Sequence, residues 1–438
     1  MRIAFHIVGL LAAWIAVTSG GAAATTLTNS QIFSQFNAVI FGDFSASSEV
    51  EGRTVVGGNV ANGTNFTIRS GLNPSSFGAL SVYGSVTTSG TLTVDNGGSV
   101  AIAGSNSASF NLNSGGSAYV GGNNSGTLLA SGGGPSNLAV IGTNSGTLSL
   151  SSGGSVYVGN GNAGTISSNG NATLGINGGT SGSVSLNGSN TVSLNGSNTG
   201  TIQLNGGSLT YTGSMGNVTN INGGSVTQAA SVNLTAPTST LGSFATTFLT
   251  PLTQLSTQLS GVAANSTASS SSGAVTFNAA PNSSGVAVFN INSSLFSGAS
   301  SVKINLDGAT SVIINVNVDS CSSNVCTFAP SANFLNPTDY ASAVLWNFVN
   351  ATNLNFTTEF GGSILAPDAT VDNSGSIDGT LVAASDSGST GELHNYSYTG
   401  TFPGSPIPAP EPASLMLIGT GIAGLVAVRR RRSGGSGR

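Results

Sequence analysis

One short pattern returns eight times between Ser89 and Val218. Ser89-Gly90-Thr91-Leu92-Thr93-Val94 recurs at Ser107, Ser125, Ser145, Ala163, Ser181, Thr199 and Met215, with steps of 18, 18, 20, 18, 18, 18 and 16 residues between equivalent positions. A second alternating stretch lies between the copies: Ser99-Val100-Ala101-Ile102, then Ser117-Ala118-Tyr119-Val120, Asn137-Leu138-Ala139-Val140 and Ser155-Val156-Tyr157-Val158, with looser copies near Asn171, Asn190, Ser208 and Ser225. Two short strands per unit, separated by Gly/Asn/Ser turns at a fixed period near 18, predict a β-solenoid. One coil cannot bury its own apolar side. Stacked coils can, with Leu92, Phe110, Leu128, Leu148, Ile166, Val184, Ile202 and Val218 as one internal ladder. Eight coils at about 4.8 Å each give a rod of about 38 Å. Gly and Asn at the corners are expected to supply positive φ.

Charge follows the same map. From Asn96 to Val302 there is no Asp, Glu, Lys, Arg or His, and only 5% of the whole chain is charged. A solenoid explains this, since like charges stacked in register repel. Acid–base catalysis or metal binding by those side chains cannot sit there, and nucleic-acid binding lacks its cations. With 38% hydrophobic residues the chain is not disordered throughout.

The ends read as addresses. Met1–Ala24 has a basic start at Arg2, an apolar run Ile7–Val17 and small residues at Ala22–Ala24, as in a secretory signal peptide, with 25–402 as the domain. A Pro-rich spacer covers 403–412. Ala413–Val428 is apolar, and Arg429, Arg430, Arg431 and Arg432 follow it within the tail 413–438. Sixteen residues rise about 24 Å as a helix, a short membrane span suited to a transient anchor. Between Thr25 and Ala409 only Arg53, Arg69 and Lys303 are basic, against thirteen acids. That balance disfavours nucleic acid and anionic membrane as partners.

The tail Pro410-Glu411-Pro412-Ala413-Ser414, apolar helix and Arg block resembles the PEP-CTERM sorting signal. The resemblance implies export in a Gram-negative bacterium, with signal peptidase and exosortase as processing partners. It further implies a transient inner-membrane anchor, then the cell surface or extracellular matrix. Similar tails are also described as the C-terminus of ice-binding proteins, but a tail reports delivery and not activity. Phe36–Phe44, Val50-Glu51-Gly52-Arg53 and Val56–Asn59 resemble the start of a choice-of-anchor A domain. Leu345–Phe348, Gly362–Pro367, Ile377-Asp378-Gly379 and Gly391–Asn395 resemble its closing motifs. The resemblance covers about 30–402, implies a surface domain with adhesin-like members, and brings no catalytic residue and no cofactor.

The expected fold is therefore mainly β: a solenoid of about 18 residues per coil, repeats over about 89–231, one long accompanying helix over about 239–262, and closing strands over about 274–402. The helix rests on Leu241, Phe244, Phe248, Leu252, Leu255 and Leu259, with Pro251 expected to kink or split it. Cys321 and Cys326 predict a local disulfide in an exported chain. His394 has no companion legible in the sequence and reads as structural. Asp43, Glu49, Glu51 and Arg53 read as a salt-bridged turn near the cap. Asp368, Asp372, Asp378 and Asp386 lack the spacing of a calcium loop.

The outward positions Thr91, Thr127, Thr147, Thr165, Ser183 and Thr201 should form one column, with Thr93 opening its neighbour. Such a face suits an adhesin-like, exopolysaccharide-associated surface protein that is not an enzyme. Ice binding through the Thr/Ser face is the alternative, and a polysaccharide-active enzyme on a β-helix is the remaining one.

Overall fold

The computed structural model describes residues 27–63 and 65–403, and the compact unit that carries the core ends at Thr401. The chain is a parallel β-solenoid. One ladder, here face A, sets its architecture. Ala38–Ile40 pairs with Thr54–Val56 on one side and with Leu381–Asp386 on the other. From Thr54–Val56 the rungs run through Leu80–Val82, Val100–Ile102, Ala118–Val120, Ser136–Val140, Gly154–Val158 and Ala172–Asn177. They continue into Ser183–Asn195 and Asn198–Tyr211 and end at Ser225–Gln228. In the other direction Leu381–Asp386 pairs with Ser363–Asn373, then Val344–Phe348, Ser311–Asn317 and Val286–Asn292.

The first coil thus lies in the middle of the stack. The closing strands do continue the solenoid, but below the first coil and not above the last repeat. The chain must return along the whole repeat half to reach that side. Gln228 ends the last rung, while the Phe244 ring packs 5.1 Å from Tyr83 and 6.0 Å from Phe41, beside the early rungs. Eight rungs at about 4.8 Å make about 38 Å, and the fifteen residues 229–243 reach about 50 Å when extended, so they suffice as a strap that returns the chain. Some outward residues of face A are buried, as at Ala101, Ala139 and Tyr157.

The accompanying helix is shorter than its apolar pattern. A π-helical turn, Ala245–Leu249, leads into α-helix Thr250–Ser260, and residues 239–243 belong to the strap. Pro251 falls in the first α-helical turn, where its missing N–H costs nothing, and the π turn absorbs the change of pitch. Leu252, Leu255 and Leu259 are buried against face A of the closing half. The helix end is held by a polar column. Asn290, Asn315 and Asn347 are in register. Their amides donate to the carbonyls of Val262 (3.0 Å), Leu259 (2.8 Å) and Ser256 (3.0 Å). These carbonyls lie in the last turn of the helix and just beyond it. A second helix, Asn29–Gln35, is absent from the sequence-based expectation. Its signal is the capping box Thr28-x-x-Gln31, and it buries Ile32 and Phe33.

Candidate functional site

Face B is the ladder built by the Ser-Gly-Thr repeats. Inward residues Leu92, Phe110, Leu128, Leu148, Ile166, Val184 and Ile202 are all fully buried. Pairing is in register from Thr91–Val94 through Ser109–Asn113, Thr127–Ser131, Thr147–Leu150 and Thr165–Ser168 into the two long strands. The outward column reads Thr91, Ser109, Thr127, Thr147, Thr165, Ser183, Thr201, Asn217. Its neighbour reads Thr93, Asn111, Leu129, Ser149, Ser167, Ser185, Gln203, Thr219. The predicted hydroxyls therefore share a column, while Asn111 and Leu129 interrupt the second. Parallel pairing at a fixed rise spaces both columns at about 4.8 Å. Unlike face A, this face is not overlaid by the helix, and Thr91, Thr165, Ser183 and Thr201 are exposed.

A buried amide column stiffens the face from behind. Asn106, Asn124, Asn144 and Asn162 point into the core, each almost completely buried. Each side-chain amide donates to the next carbonyl in line: Asn106 to Asn124 at 2.8 Å, Asn124 to Asn144 at 2.8 Å, Asn144 to Asn162 at 2.7 Å, with Thr180 Oγ1 accepting from Asn162 at 3.1 Å. The same amides also reach the carbonyl two residues on, as from Asn124 to Gly126 at 3.1 Å. None of these asparagines has positive φ. The expected positive φ falls on Asn96, Asn222 and many corner Gly, while these four Asn instead satisfy buried polar groups. The following Gly has another role too, since a Cβ on Gly146 or Gly164 would overlap the carbonyl oxygen one rung below. The sequence signal was present as an Asn two residues before the repeat Gly.

Charge gathers where the closing half meets the first coils. Phe360–Gly361, Ile377–Asp378 and Leu393–His394 form successive rungs, and Leu393 bridges to Val50. Asp378 is fully buried, and its Oδ1 lies 2.6 Å from His394 Nδ1. His394 Nε2 lies 3.0 Å from Glu392 Oε2. Hydrogen bonding to Asp378 above all pushes the imidazole pKa up to about 9. Burial and the Asp378 charge raise the Glu359 carboxyl. His394 therefore has companions, which only the stacking of distant strands reveals. The Glu392-x-His394 alternation, which puts both on one strand face, was the available signal.

The N-terminal charge group is not a turn closed by Arg53. Glu51 pairs with Arg69 at 3.5 Å and accepts from the Asn395 amide at 2.8 Å. Arg53 donates to the Asn73 carbonyl at 2.6 Å, and Asp43 accepts from the Asn59 amide at 2.7 Å. Glu51 and Arg69, through Asn395, join the first coils to the closing half, while Arg53 and Asp43 bond within the first coils. Cys321 and Cys326 form a disulfide across a hairpin whose turn residues Ser323 and Asn324 are left-handed. Among the described residues no group of His, Cys, Asp or Glu is arranged to hold a metal ion, and no helix is long and apolar enough to cross a membrane. The signal peptide, the sorting residues from Pro410 to Arg432 and the predicted membrane helix lie outside the described residues.

Two family models match the chain. An ice-binding-like adhesive domain matches residues 29–149 and 140–395, and a PEP-CTERM protein-sorting motif matches 408–432. The first covers the segments that resemble a choice-of-anchor A domain, so the family shown is the adhesive one. No curated protein matches the chain. Two solved structures are similar at low identity. The tapirin C-terminal domain of Caldicellulosiruptor kristjanssonii is 11% identical, with 85% of this chain and 94% of that one covered and a TM-score of 0.21. An ice binding protein from an Antarctic bacterium, Flavobacteriaceae, is 13% identical, with 87% and 100% covered and a TM-score of 0.19. These superpositions are too loose to carry over any property. The sorting motif implies processing by an exosortase and marks an exported, surface-associated protein. The chain belongs to the ice-binding-like adhesive domain family.

Proposed function

We propose that the protein is a non-catalytic surface adhesin that lays face B against exopolysaccharide or another neutral surface polymer. One observation carries the reading: an in-register hydroxyl column from Thr91 to Thr201 on a face left uncovered by the helix. Hydroxyls and amides repeating at about 4.8 Å offer many weak hydrogen bonds to a polymer, with no charge to desolvate. After exosortase processing the domain is delivered to the cell surface or matrix, where such polymers lie. Residues 27–401 hold the contiguous core cluster and suit a retention assay on immobilised glycans and matrix proteins. Retention should persist at high salt, because no ionic contact is involved. Retention on no polymer would end the adhesin reading.

The Thr/Ser column also motivates ice binding as a second reading. Asn111 and Leu129 break the second column, which weighs toward a polymer ligand. Inhibition of ice recrystallisation by residues 27–401, lost in Thr147→Lys, would favour ice. Catalysis has little to stand on. The repeat face has no acid or base, and the His394 imidazole is already held by Asp378 and Glu392. Such an enzyme would have to use Glu359, Glu392 and His394, so turnover of a glycan abolished by Glu392→Gln would overturn the non-catalytic reading.

A further inference from the structure

The two ends of the stack are finished differently. At the closing end, the Asn265 side chain accepts from the Val288 amide (2.7 Å) and donates to the Val286 carbonyl (3.0 Å). Thr267–Ser271 then turns antiparallel along Ala274–Asn278. This hairpin finishes that end, with Thr267–Ser271 as its exposed outer strand. At the repeat end the last rungs are Ser225–Gln228 and Met215–Ile221, and no further strand pairs with either among the described residues. Ser225–Gln228 is exposed throughout. Val226 continues the inward column above Leu209, yet it is 43% exposed. Tyr211, Met215 and Val218 are only partly buried against the core beneath.

Natural edge strands are blunted by charge, proline or a cover. None is present here. No charged residue lies between Asn96 and Val302, and no proline between Pro135 and Pro237. We infer that the repeat end is a homotypic interface, where two copies meet end to end through Ser225–Gln228 and Met215–Ile221. The partner that fits is the same surface: backbone donors and acceptors at strand spacing, an apolar centre and no charge to repel its twin. A two-fold contact pairs the edges antiparallel and covers Val226 on both copies. A two-fold contact uses the same end of both copies, so assembly through this end closes at a dimer.

Sedimentation velocity on residues 27–401 over a wide concentration range tests this. The expected result is a dimer that dissociates on dilution. Val226→Lys should be monomeric with an unchanged circular dichroism spectrum, while Thr201→Lys on face B should still dimerise. Ser225→Cys, which leaves the apolar end intact, should give a disulfide-linked dimer and guards against a folding defect in the lysine variant. A monomer at every concentration together with no Ser225→Cys cross-link, or a dimer untouched by Val226→Lys, would overturn the inference. A monomeric full chain beside a dimeric 27–401 would instead assign the end to the chain's own terminal segments.

Discussion

The repeat half and the junction below it solve the same stacking problem with different chemistry. Repeat coils are fastened by neutral columns, apolar at Leu148 and Ile166 and amide at Asn124, Asn144 and Asn162. At the junction, strands distant in sequence are fastened by Asp378, His394, Glu392, Glu51 and Arg69. Identical rungs can pair in several registers, so the repeat half depends on amides that fit only in register. The junction joins unlike rungs once, where complementary charge specifies the match without being repeated. A stacked charge would meet its own copy at every rung. A single charge cluster meets only its partners.

That contrast can be broken from either side. Asn144→Ala should have the largest effect. It leaves the Asn124 amide and the Asn162 carbonyl without their partner inside the core, a cost of about 2–4 kcal/mol in chemical denaturation. A cost near zero would mean that water replaces the amide and that the column is not a fastener. The junction should respond to pH. His394 has a folded pKa of about 9, above its ordinary value, so its stabilisation is complete below about pH 6.5 and is lost as pH rises through 9. The raised carboxyl of Glu359 has the same sign, favouring the fold while it keeps its proton, in a more acidic window. Hydrogen exchange, corrected for its intrinsic pH dependence, should show Ile377–Asp378 and Leu393–His394 losing protection between pH 6.5 and 9 while Thr147–Leu150 keeps it. His394→Gln should flatten that difference. Equal loss in both regions would erase the contrast. The smallest effect belongs to Arg69→Ala. Its pair with Glu51 is 3.5 Å long and half exposed on the Arg side, so the cost should stay below about 1 kcal/mol.

The repeat half was legible because its information is local and periodic. A rung of 18 residues states its own strand positions, inward column and outward hydroxyls, and the structure puts Thr91 to Thr201 in line. The order of the stack was not legible. Nothing in Ala38–Ile40 says that one neighbour lies 16 residues on at Thr54 and the other at Leu381. The same distance hid the site around His394, whose carboxylate Asp378 belongs to another rung. The apolar pattern placed the helix but overran its start, because Leu241 and Phe244, ahead of the π turn, are also partly buried. The left-handed role of corner Asn holds at Asn96 and Asn222, but the internal column of Asn106, Asn124, Asn144 and Asn162 was not legible, since Asn suits both a left-handed turn and an internal hydrogen bond.

The central claim is that the uncharged outward columns of face B make the contact with polymer. Retention of residues 27–401 on purified exopolysaccharide tests it most directly when two double variants are compared. Thr147→Lys with Thr165→Lys alters face B, and Ser125→Lys with Ser145→Lys adds the same charge on the neighbouring narrow side, where both serines are exposed. Loss of retention in the first pair alone is the predicted result. Equal retention by both pairs would contradict the claim and move the contact off face B.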